Sequence, residues 1–434
     1  MDTATALVDL FYWISIALMI AIHAGFLAYE MGVSRSKNVL ATAMKNLLTF
    51  AVVVATFYFF GFWFYYAFQQ FPYGGIDWEG AKVALPWSSA MGPNTSSEEG
   101  WMGTFWGAFA LFAATTGSIM SGAVLERIRT SAFLILTVVL GSVVWIIAAS
   151  WGWATNGWML TEWGWHDFGA AGCVHLIAGA FTLGVLINLG PRIGRFINGV
   201  AVTIKPHNLP MTMLGLMLIF IGFFGFLMGC VVYLGAGNPI EGTTAFLNIF
   251  GAPTTLSAVA FSTLMGLSGG IIGAYVSSRG EPFWTISGGL AGVISVAPGM
   301  DLYHPALAFV IAMGGGMLIP FLGRFIERFG IDDVVGAVTV HGGCAVYGLV
   351  VSGFVLWGYP NVAGYPDVTP WGQAGGTLVM AALGFIPGYL ISLLMKKMGT
   401  LRVPAEVEAA GLDLSEVPAE AYPESLSATG RPAA

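Results

Sequence analysis

Long runs of apolar residues recur along nearly the whole of this 434-residue chain. Eleven such runs lie at about residues 6–33, 44–70, 101–125, 130–153, 167–190, 208–234, 243–277, 283–299, 304–325, 334–358 and 373–395. A helix of about 20 apolar residues crosses a hydrocarbon core about 30 Å thick. Because the runs do not alternate strictly between apolar and polar residues, they favour helices over barrel strands. The sequence therefore predicts an all-α membrane protein with eleven transmembrane helices.

The composition supports the same class, because only 9% of the residues are charged and 56% are hydrophobic. A soluble domain carries about 25% charged residues, so an ordinary soluble fold is excluded. The first run begins with Asp2 and Asp9, has no basic segment before it and stays apolar for too long to be a cleaved signal peptide. Three cysteines lie in apolar segments without metal-type spacing, which predicts small buried side chains and no disulfide: Cys173, Cys230 and Cys344.

The basic residues predict the orientation of the chain. With eleven spans, every Lys and Arg except Lys82 falls on one side of the membrane. This positive-inside bias predicts an N-terminus outside the cell and a C-terminus in the cytoplasm. It also divides the chain into a transmembrane domain, residues 1–398, and an acidic cytoplasmic tail, residues 399–434, for which a regulatory role is expected.

The loops on the opposite side carry several acidic residues. Such charges concentrate cations modestly at a surface, and the simpler interpretation is that they are solvated loop charges. They are Asp77, Glu79, Glu98, Glu99, Glu162, Glu241, Asp301 and Asp367.

One pattern occurs twice, in the fifth and tenth predicted spans. Asp167 is followed eight residues later by His175, and Asp333 is followed at the same distance by His341. Eight residues of helix span about 12 Å, which places each His near the middle of the hydrocarbon core. Because the two spans are five helices apart, they run antiparallel, and the imidazoles can meet. The pattern therefore predicts a five-plus-five inverted repeat with a substrate path at the midplane, between the repeats.

Each of these residues also has a structural interpretation. A membrane histidine can serve as a hydrogen-bonded packing residue, although intramembrane ionisable groups are functional candidates by default. Asp is a favoured helix N-cap, and this is the predicted role of Asp333. For Asp167, capping is compatible with the stabilisation of a nearby cation. His23, in the first span, is interpreted as a packing or interhelical hydrogen-bonding residue.

Several short segments spread along the chain together form a recognisable pattern. They are Arg35-Ser36-Lys37-Asn38, Phe112-Ala113-Ala114-Thr115, Ser121 to Arg127, Asp167-Phe168-Gly169 with His175, Lys205 to Pro210, Gly225-Phe226, Ile331 to Asp333, His341 to Cys344, Leu401 to Pro404 and Gly411 to Asp413. Taken together, these segments resemble the ammonium transporter (Amt/Mep/Rh) family from end to end. The resemblance implies an eleven-helix homotrimer with one pore in each protomer.

The resemblance also implies roles for particular residues. His175 and His341 resemble the family's twin pore histidines, and Phe112 and Phe226 resemble its stacked gate. The external cation site implied for this chain consists of Phe112, Trp153, Asp167 and Cys230.

Three positions depart from the usual family pattern on the external side of the pore. Leu227 follows the second gate phenylalanine where the family usually has Asn. Cys230 stands in place of a hydroxyl side chain, and Ala108 in place of an aromatic one, with Phe109 beside it. These changes predict weaker capture of the cation, unless Phe109 or Trp153 compensates.

We therefore predict a multi-pass protein of the plasma membrane (the cell inner membrane) that takes up ammonium. In this mechanism the cation is captured outside, loses a proton, and passes as ammonia through an apolar tube. A PII-type signalling protein is a possible partner at the tail. No enzyme activity, cofactor, metal or nucleic acid is expected. The alternatives are an ammonium sensor on the same scaffold that conducts little, and a channel for another small neutral molecule such as carbon dioxide.

Overall fold

The computed structural model describes residues 3–92, 102–231, 255–359 and 365–423. The helices are α1 Thr3–Val33, α2 Val39–Thr56, α3 Phe62–Ala67, α4 Met102–Ala123, α5 Thr130–Val139, α6 Trp145–Gly152, α7 Trp158–Trp163, α8 Ile177–Leu189, α9 Leu209–Cys230, α10 Leu256–Ser278, α11 Pro282–Val296, α12 Pro305–Glu327, α13 Cys344–Val355, α14 Pro370–Lys397, α15 Ala405–Ala410 and α16 Asp413–Glu416. Turns of π-helix lie at Phe57–Gly61, Leu140–Val144, Ala171–Leu176 and Val338–Gly343. The predicted all-helical membrane class is confirmed.

Within these described ranges, nine helical segments are long and apolar enough to cross a membrane. Two more helices, α4 and the 15-residue α11, coincide with predicted spans but are not among these nine segments. The predicted spans at 208–234 and 243–277 both extend into residues 232–254, which lie outside the described part of the chain. The count of eleven therefore stays a prediction.

Glycines allow the long helices to approach each other closely. The glycine-rich segment Gly269 to Gly273 of α10 lies against α12, where a Cβ atom on Gly273 would be 2.2 Å from the carbonyl oxygen of Met313. Similarly, a Cβ atom on Gly215 of α9 would be 2.2 Å from the backbone nitrogen of Tyr29 in α1. Without a hydrophobic driving force between helices in lipid, this close backbone packing is a main source of association.

A small antiparallel hairpin adds the strands β1 Phe196–Ile197 and β2 Val200–Ala201 to the helices. Its two-residue turn is Asn198-Gly199, with positive φ angles of 51° and 77°. This dipeptide favours tight hairpin turns because both positions tolerate left-handed backbone.

The tail folds back onto the loops between the helices, at the end of the molecule that we call the inner end. The Val403 N–H donates to the carbonyl oxygen of Arg127 at 3.0 Å, and the Leu412 N–H donates to Oδ1 of Asn38 at 2.8 Å. The Asp413 carboxylate accepts a hydrogen bond of 2.9 Å from the Ala41 N–H. This part of the tail is therefore anchored by hydrogen bonds rather than freely solvated.

Candidate functional site

Two helices bring His175 and His341 together in the interior. Each histidine lies in a turn of π-helix, Ala171–Leu176 or Val338–Gly343, at the start of a longer helix. These helices begin about four residues after Asp167 and Asp333, one turn later than the sequence predicts. Turns of π-helix are rare and frequently mark functional sites.

The two imidazoles are in hydrogen-bonding contact. His175 Nδ1 lies 2.9 Å from His341 Nδ1, so one ring donates its proton and the other accepts it. The side chains are 2% and 5% exposed. Close backbone approach makes the contact possible, since a Cβ atom on Gly179 would be 2.5 Å from the backbone nitrogen of Gly342.

Two buried aromatic rings lie directly next to the histidine pair. The ring centroids of Phe112 in α4 and Phe226 in α9 are 4.4 Å apart, with an interplanar angle of 65°. The centroid of Phe226 is in turn 5.8 Å from that of His175. Phe112, Phe226, His175 and His341 therefore form one continuous row of rings.

Trp153 lies at the end of this row away from His341, which we call the outer end. Its indole ring meets Phe112 edge to face at a centroid distance of 5.4 Å, and Phe109 also packs on it at 6.2 Å. The indole Nε1–H donates to the backbone carbonyl oxygen of Asp167 at 2.6 Å. The indole face and the Asp167 segment are thus held in one position relative to the row of rings.

The Asp167 carboxylate is buried, and its two oxygens differ. Oδ2 accepts hydrogen bonds from the N–H groups of Gly172 and Cys173, at 2.8 and 2.9 Å. Oδ1 is buried and has no hydrogen-bond partner in the described part of the chain. Burial raises the pKa of this carboxyl to about 6, although the two backbone donors oppose the shift. A buried oxygen without a partner is costly, so this atom is a candidate acceptor for a cation.

The positions that depart from the family pattern are all buried here. Cys230 ends α9 and is 7% exposed, while Leu227 and Ala108 are almost fully enclosed. A Cβ atom on Gly169 would be 3.0 Å from a Leu227 methyl group, which places Leu227 against the Asp167 segment. Phe109, next to Ala108, supplies an aromatic contact to Trp153.

His23 takes no part in this row of rings. It packs edge to face on Phe50, with a centroid distance of 5.2 Å, as a packing residue would.

A cavity of about 540 Å³ lies on the Asp333 side of the histidine pair. Thr339, which lies in the same π-helical turn as His341, is part of its wall, together with Trp284 and Lys205. Asp333 itself caps the helix, with Oδ1 accepting from the Ala337 N–H and Oδ2 from the Val338 N–H, both at 2.8 Å. Burial raises its pKa to about 6, against the effect of these donors.

A cluster of buried ion pairs lies beside this cavity and was not predicted. Arg192 Nε donates to Asp332 Oδ2 at 2.8 Å, and Arg195 Nε donates to Oδ1 at 3.3 Å. Arg127 donates to the Asp332 carbonyl oxygen at 2.6 Å. Although burial opposes it, the guanidinium groups of Arg127 and Arg192 hold the pKa of Asp332 well below its usual range. From the sequence, these arginines were predicted only as basic residues on the inner side.

The interpretation of Asp301 as a solvated loop charge was wrong. Its side chain is buried, and its Oδ1 lies 3.0 Å from Nε2 of His166. His166, next to Asp167 in the chain, was likewise missed. The other acidic loop residues in the described ranges, Asp77, Glu79, Glu162 and Asp367, are exposed as expected; Glu98, Glu99 and Glu241 lie outside those ranges.

Comparisons with known proteins agree with one another. The sequence model of the Ammonium Transporter Family matches residues 10–422. Ammonium transporter Amt1 of Methanocaldococcus jannaschii is 30% identical over 419 residues, which cover 96% of this chain and 97% of the relative. The ammonium transporter of Bacillus subtilis is 30% identical, with 93% and 95% covered.

Solved structures show the same likeness. A structure described as a sensor Amt protein has a TM-score of 0.80 and 26% identity, and covers 95% of this chain and 98% of its own. Candida albicans Mep2 has a TM-score of 0.74 at 18% identity, with 93% and 87% covered, and this likeness concerns the fold alone.

Proposed function

The chain belongs to the ammonium transporter family, and from this premise we propose that it takes up ammonium through the row of rings between Trp153 and His341. The observation that carries the proposal is the buried contact of 2.9 Å between His175 and His341, beneath the paired rings of Phe112 and Phe226. Two neutral imidazoles provide hydrogen-bonding atoms along an otherwise apolar tube. Neutral ammonia can use them at a small desolvation cost, whereas a bare ammonium ion would lose several kcal/mol of hydration.

The outer cation site in this proposal consists of Trp153, Phe112, Asp167 and Cys230. The indole and phenyl faces attract a cation, and each face contributes about 0.5–2 kcal/mol. The unpartnered Oδ1 of Asp167 adds a full negative charge close by when the carboxyl is ionised. The Cys230 thiol is a weaker acceptor than a hydroxyl group.

The steps then follow the order of the rings. Ammonium binds at the outer site and loses a proton. Phe112 and Phe226 form a gate that excludes water and hydrated ions. Ammonia passes to His175 and His341, which also relay the proton, and it is protonated again in the cavity beside Asp333, a structural helix cap.

The wider arrangement belongs to the same proposal. The chain crosses the plasma membrane eleven times as a five-plus-five inverted repeat, with its N-terminus outside and its C-terminus in the cytoplasm. Three copies form a homotrimer. Residues 1–398 form the transport domain, and residues 399–434 form a regulatory tail at which a PII-type protein docks. The anchoring of residues 401–417 to the loops gives such a partner a route to the transport domain.

Reconstitution tests the proposal. Proteoliposomes containing the full chain should take up ammonium faster than empty vesicles, with saturation, and should not take up potassium. Expression should also restore growth on limiting ammonium in a cell that lacks its own transporters. Failure of both assays with a folded protein would refute the transport function.

An ammonium sensor is the second candidate, because one solved structure of high similarity is described as a sensor Amt protein. Binding of ammonium without uptake in the same vesicles would favour this alternative.

A further inference from the structure

One pair of ionisable side chains lies beside the outer site and has no role in the proposed ammonia path. Nε2 of His166 is 3.0 Å from Oδ1 of Asp301, and the two side chains are 2% and 1% exposed. The two residues are 135 positions apart in the sequence. Buried groups of this kind are retained at a cost, so they are candidates for function.

The backbone around this pair is fixed by several hydrogen bonds. Gln373 of α14 binds His166 twice: its Oε1 accepts from the His166 N–H at 2.9 Å, and its Nε2 donates to the His166 carbonyl oxygen at 2.7 Å. The N–H groups of Phe168 and Gly169 donate to two carbonyl oxygens of residues 297–298, at 3.1 and 2.8 Å. Consequently, the backbone that carries His166 is held beside the Asp167 segment, and the contact with Asp301 orients the imidazole ring.

The pair and the outer site lie within electrostatic range of each other. The charge on His166 acts on the Asp167 carboxyl, and the charge on Asp301 acts on the thiol of Cys230. Among the described residues, the other titratable groups that interact with the pair are Asp167, Cys230, Tyr303 and Tyr359. Of the two members of the pair, His166 carries the imidazole, the side chain whose unperturbed pKa lies in the physiological pH range.

We propose that His166 and Asp301 form a proton-binding pair that controls the charge of the outer cation site. When the external pH falls, a proton from the solvent binds to the imidazole, and the resulting imidazolium opposes the binding of ammonium at Asp167. When the pH rises, the imidazole is neutral, and the Asp301 carboxylate strengthens the negative potential. This inference rests on the outer site proposed above and adds a second titratable centre to it.

The pH dependence of ammonium capture tests the pair. The half-saturating ammonium concentration of the parent should rise about three- to tenfold between pH 8 and pH 6.5, as expected for one added charge several ångströms away. In His166→Gln, which retains a side-chain N–H for Asp301 but cannot ionise, the rise should be less than about twofold, with little change in maximal uptake. The matched control is His304→Gln, because His304 is an exposed histidine that caps α12 nearby. This control should behave like the parent.

Asp301→Asn provides a second, independent variant. Without the carboxylate, capture at pH 8 should weaken about three- to tenfold, and the pH dependence should shrink. Equal pH profiles in the parent, His166→Gln and Asp301→Asn would overturn the proposal while leaving transport intact. If no chain takes up ammonium, the proposed transport function fails instead. Calorimetric titration of the purified proteins with ammonium would then give the same comparison of pH profiles.

Discussion

The outer and inner Asp-to-His segments share a spacing, a π-helical turn and a meeting point, yet their carboxylates are used differently. At the inner segment both oxygens of Asp333 accept backbone hydrogen bonds, from Ala337 and Val338. At the outer segment Asp167 offers only Oδ2 to the backbone and leaves Oδ1 buried without a described partner. Both oxygens of the inner carboxylate thus serve the helix cap, whereas the outer one keeps a buried oxygen that no described residue contacts by a hydrogen bond.

The residues that precede the two carboxylates also have different partners. Asp332, before Asp333, is held by the guanidinium groups of Arg192 and Arg195. His166, before Asp167, faces the carboxylate of Asp301. The residue before the inner carboxylate is therefore held in an ion-pair cluster, whereas the residue before the outer carboxylate forms an imidazole–carboxylate contact. The same Asp-to-His spacing thus stands in two different charge environments.

The largest effect is expected where the two segments meet. Replacing His175 or His341 by Ala leaves the other imidazole without its buried partner and interrupts the proton relay. Uptake and ammonium-driven current should fall by more than about 100-fold in either variant, since effects of this size follow from losing a positioned proton-transfer group. The ammonium-driven current is measured with proteoliposomes adsorbed on a solid-supported membrane. Parent-like current in both single variants would show that the two segments do not form one unit.

The next largest effect is a loss of stability, expected when the ion-pair cluster around Asp332 at the inner end is disrupted. Asp332→Asn leaves buried guanidinium groups with less counter-charge and should destabilise the protein by about 3 kcal/mol. Because the folded pKa of Asp332 lies below its unfolded value, this stabilisation is present above about pH 4 and is lost only as the pH falls through the folded value. Thermal unfolding followed by tryptophan fluorescence should show the loss at pH 7, with little change between pH 6 and 8. Exposed Asp77→Asn is the control and should unfold like the parent.

The same substitution at Asp167 and at Asp333 tests whether the two carboxylates have different roles. Asp167→Asn should weaken ammonium capture about tenfold or more, because a desolvated negative charge is lost near the cation. Asp333→Asn should cost about 1 kcal/mol of stability through a weaker cap and leave the half-saturating concentration within about twofold. Uptake kinetics together with thermal unfolding separate the two outcomes. Equal losses of ammonium affinity in both variants would contradict the distinction between Asp333 as a helix cap and Asp167 as part of the cation site.

A smaller gain is expected when the outer site is changed towards the usual family pattern. Leu227→Asn together with Cys230→Ser adds hydrogen-bonding groups at the outer site and should tighten capture by up to about tenfold, or 1.4 kcal/mol. The same pair of changes should not alter maximal uptake. The measurement is the half-saturating ammonium concentration at pH 7. If the double variant titrates like the parent, the aromatic rings of Phe109 and Trp153 already set the affinity.

The sequence predicted the helices and the repeated pattern well, because both depend on local properties. The length of an apolar run determines whether a helix can cross a membrane, and the spacing of Asp and His within a run is readable directly. The resemblance also identified the family, which the comparisons confirm. The exact start of the helices was predicted less well, because left-handed backbone lies between each Asp and its helix, at Ala170 and Gly336 with φ angles of 64° and 71°.

What the sequence by itself determined is the class of the protein: an all-helical membrane protein of the ammonium transporter family, with two Asp-to-His segments. Only the tertiary structure decided which carboxylate keeps an oxygen without a partner among the described residues, that Asp301 is buried against His166, and that Asp332 lies among arginines. These pairs join residues 135 and 140 positions apart. Charge and hydropathy along the chain place such residues on a side of the membrane. They do not say which will meet, because burial and hydrogen bonding depend on how distant segments pack.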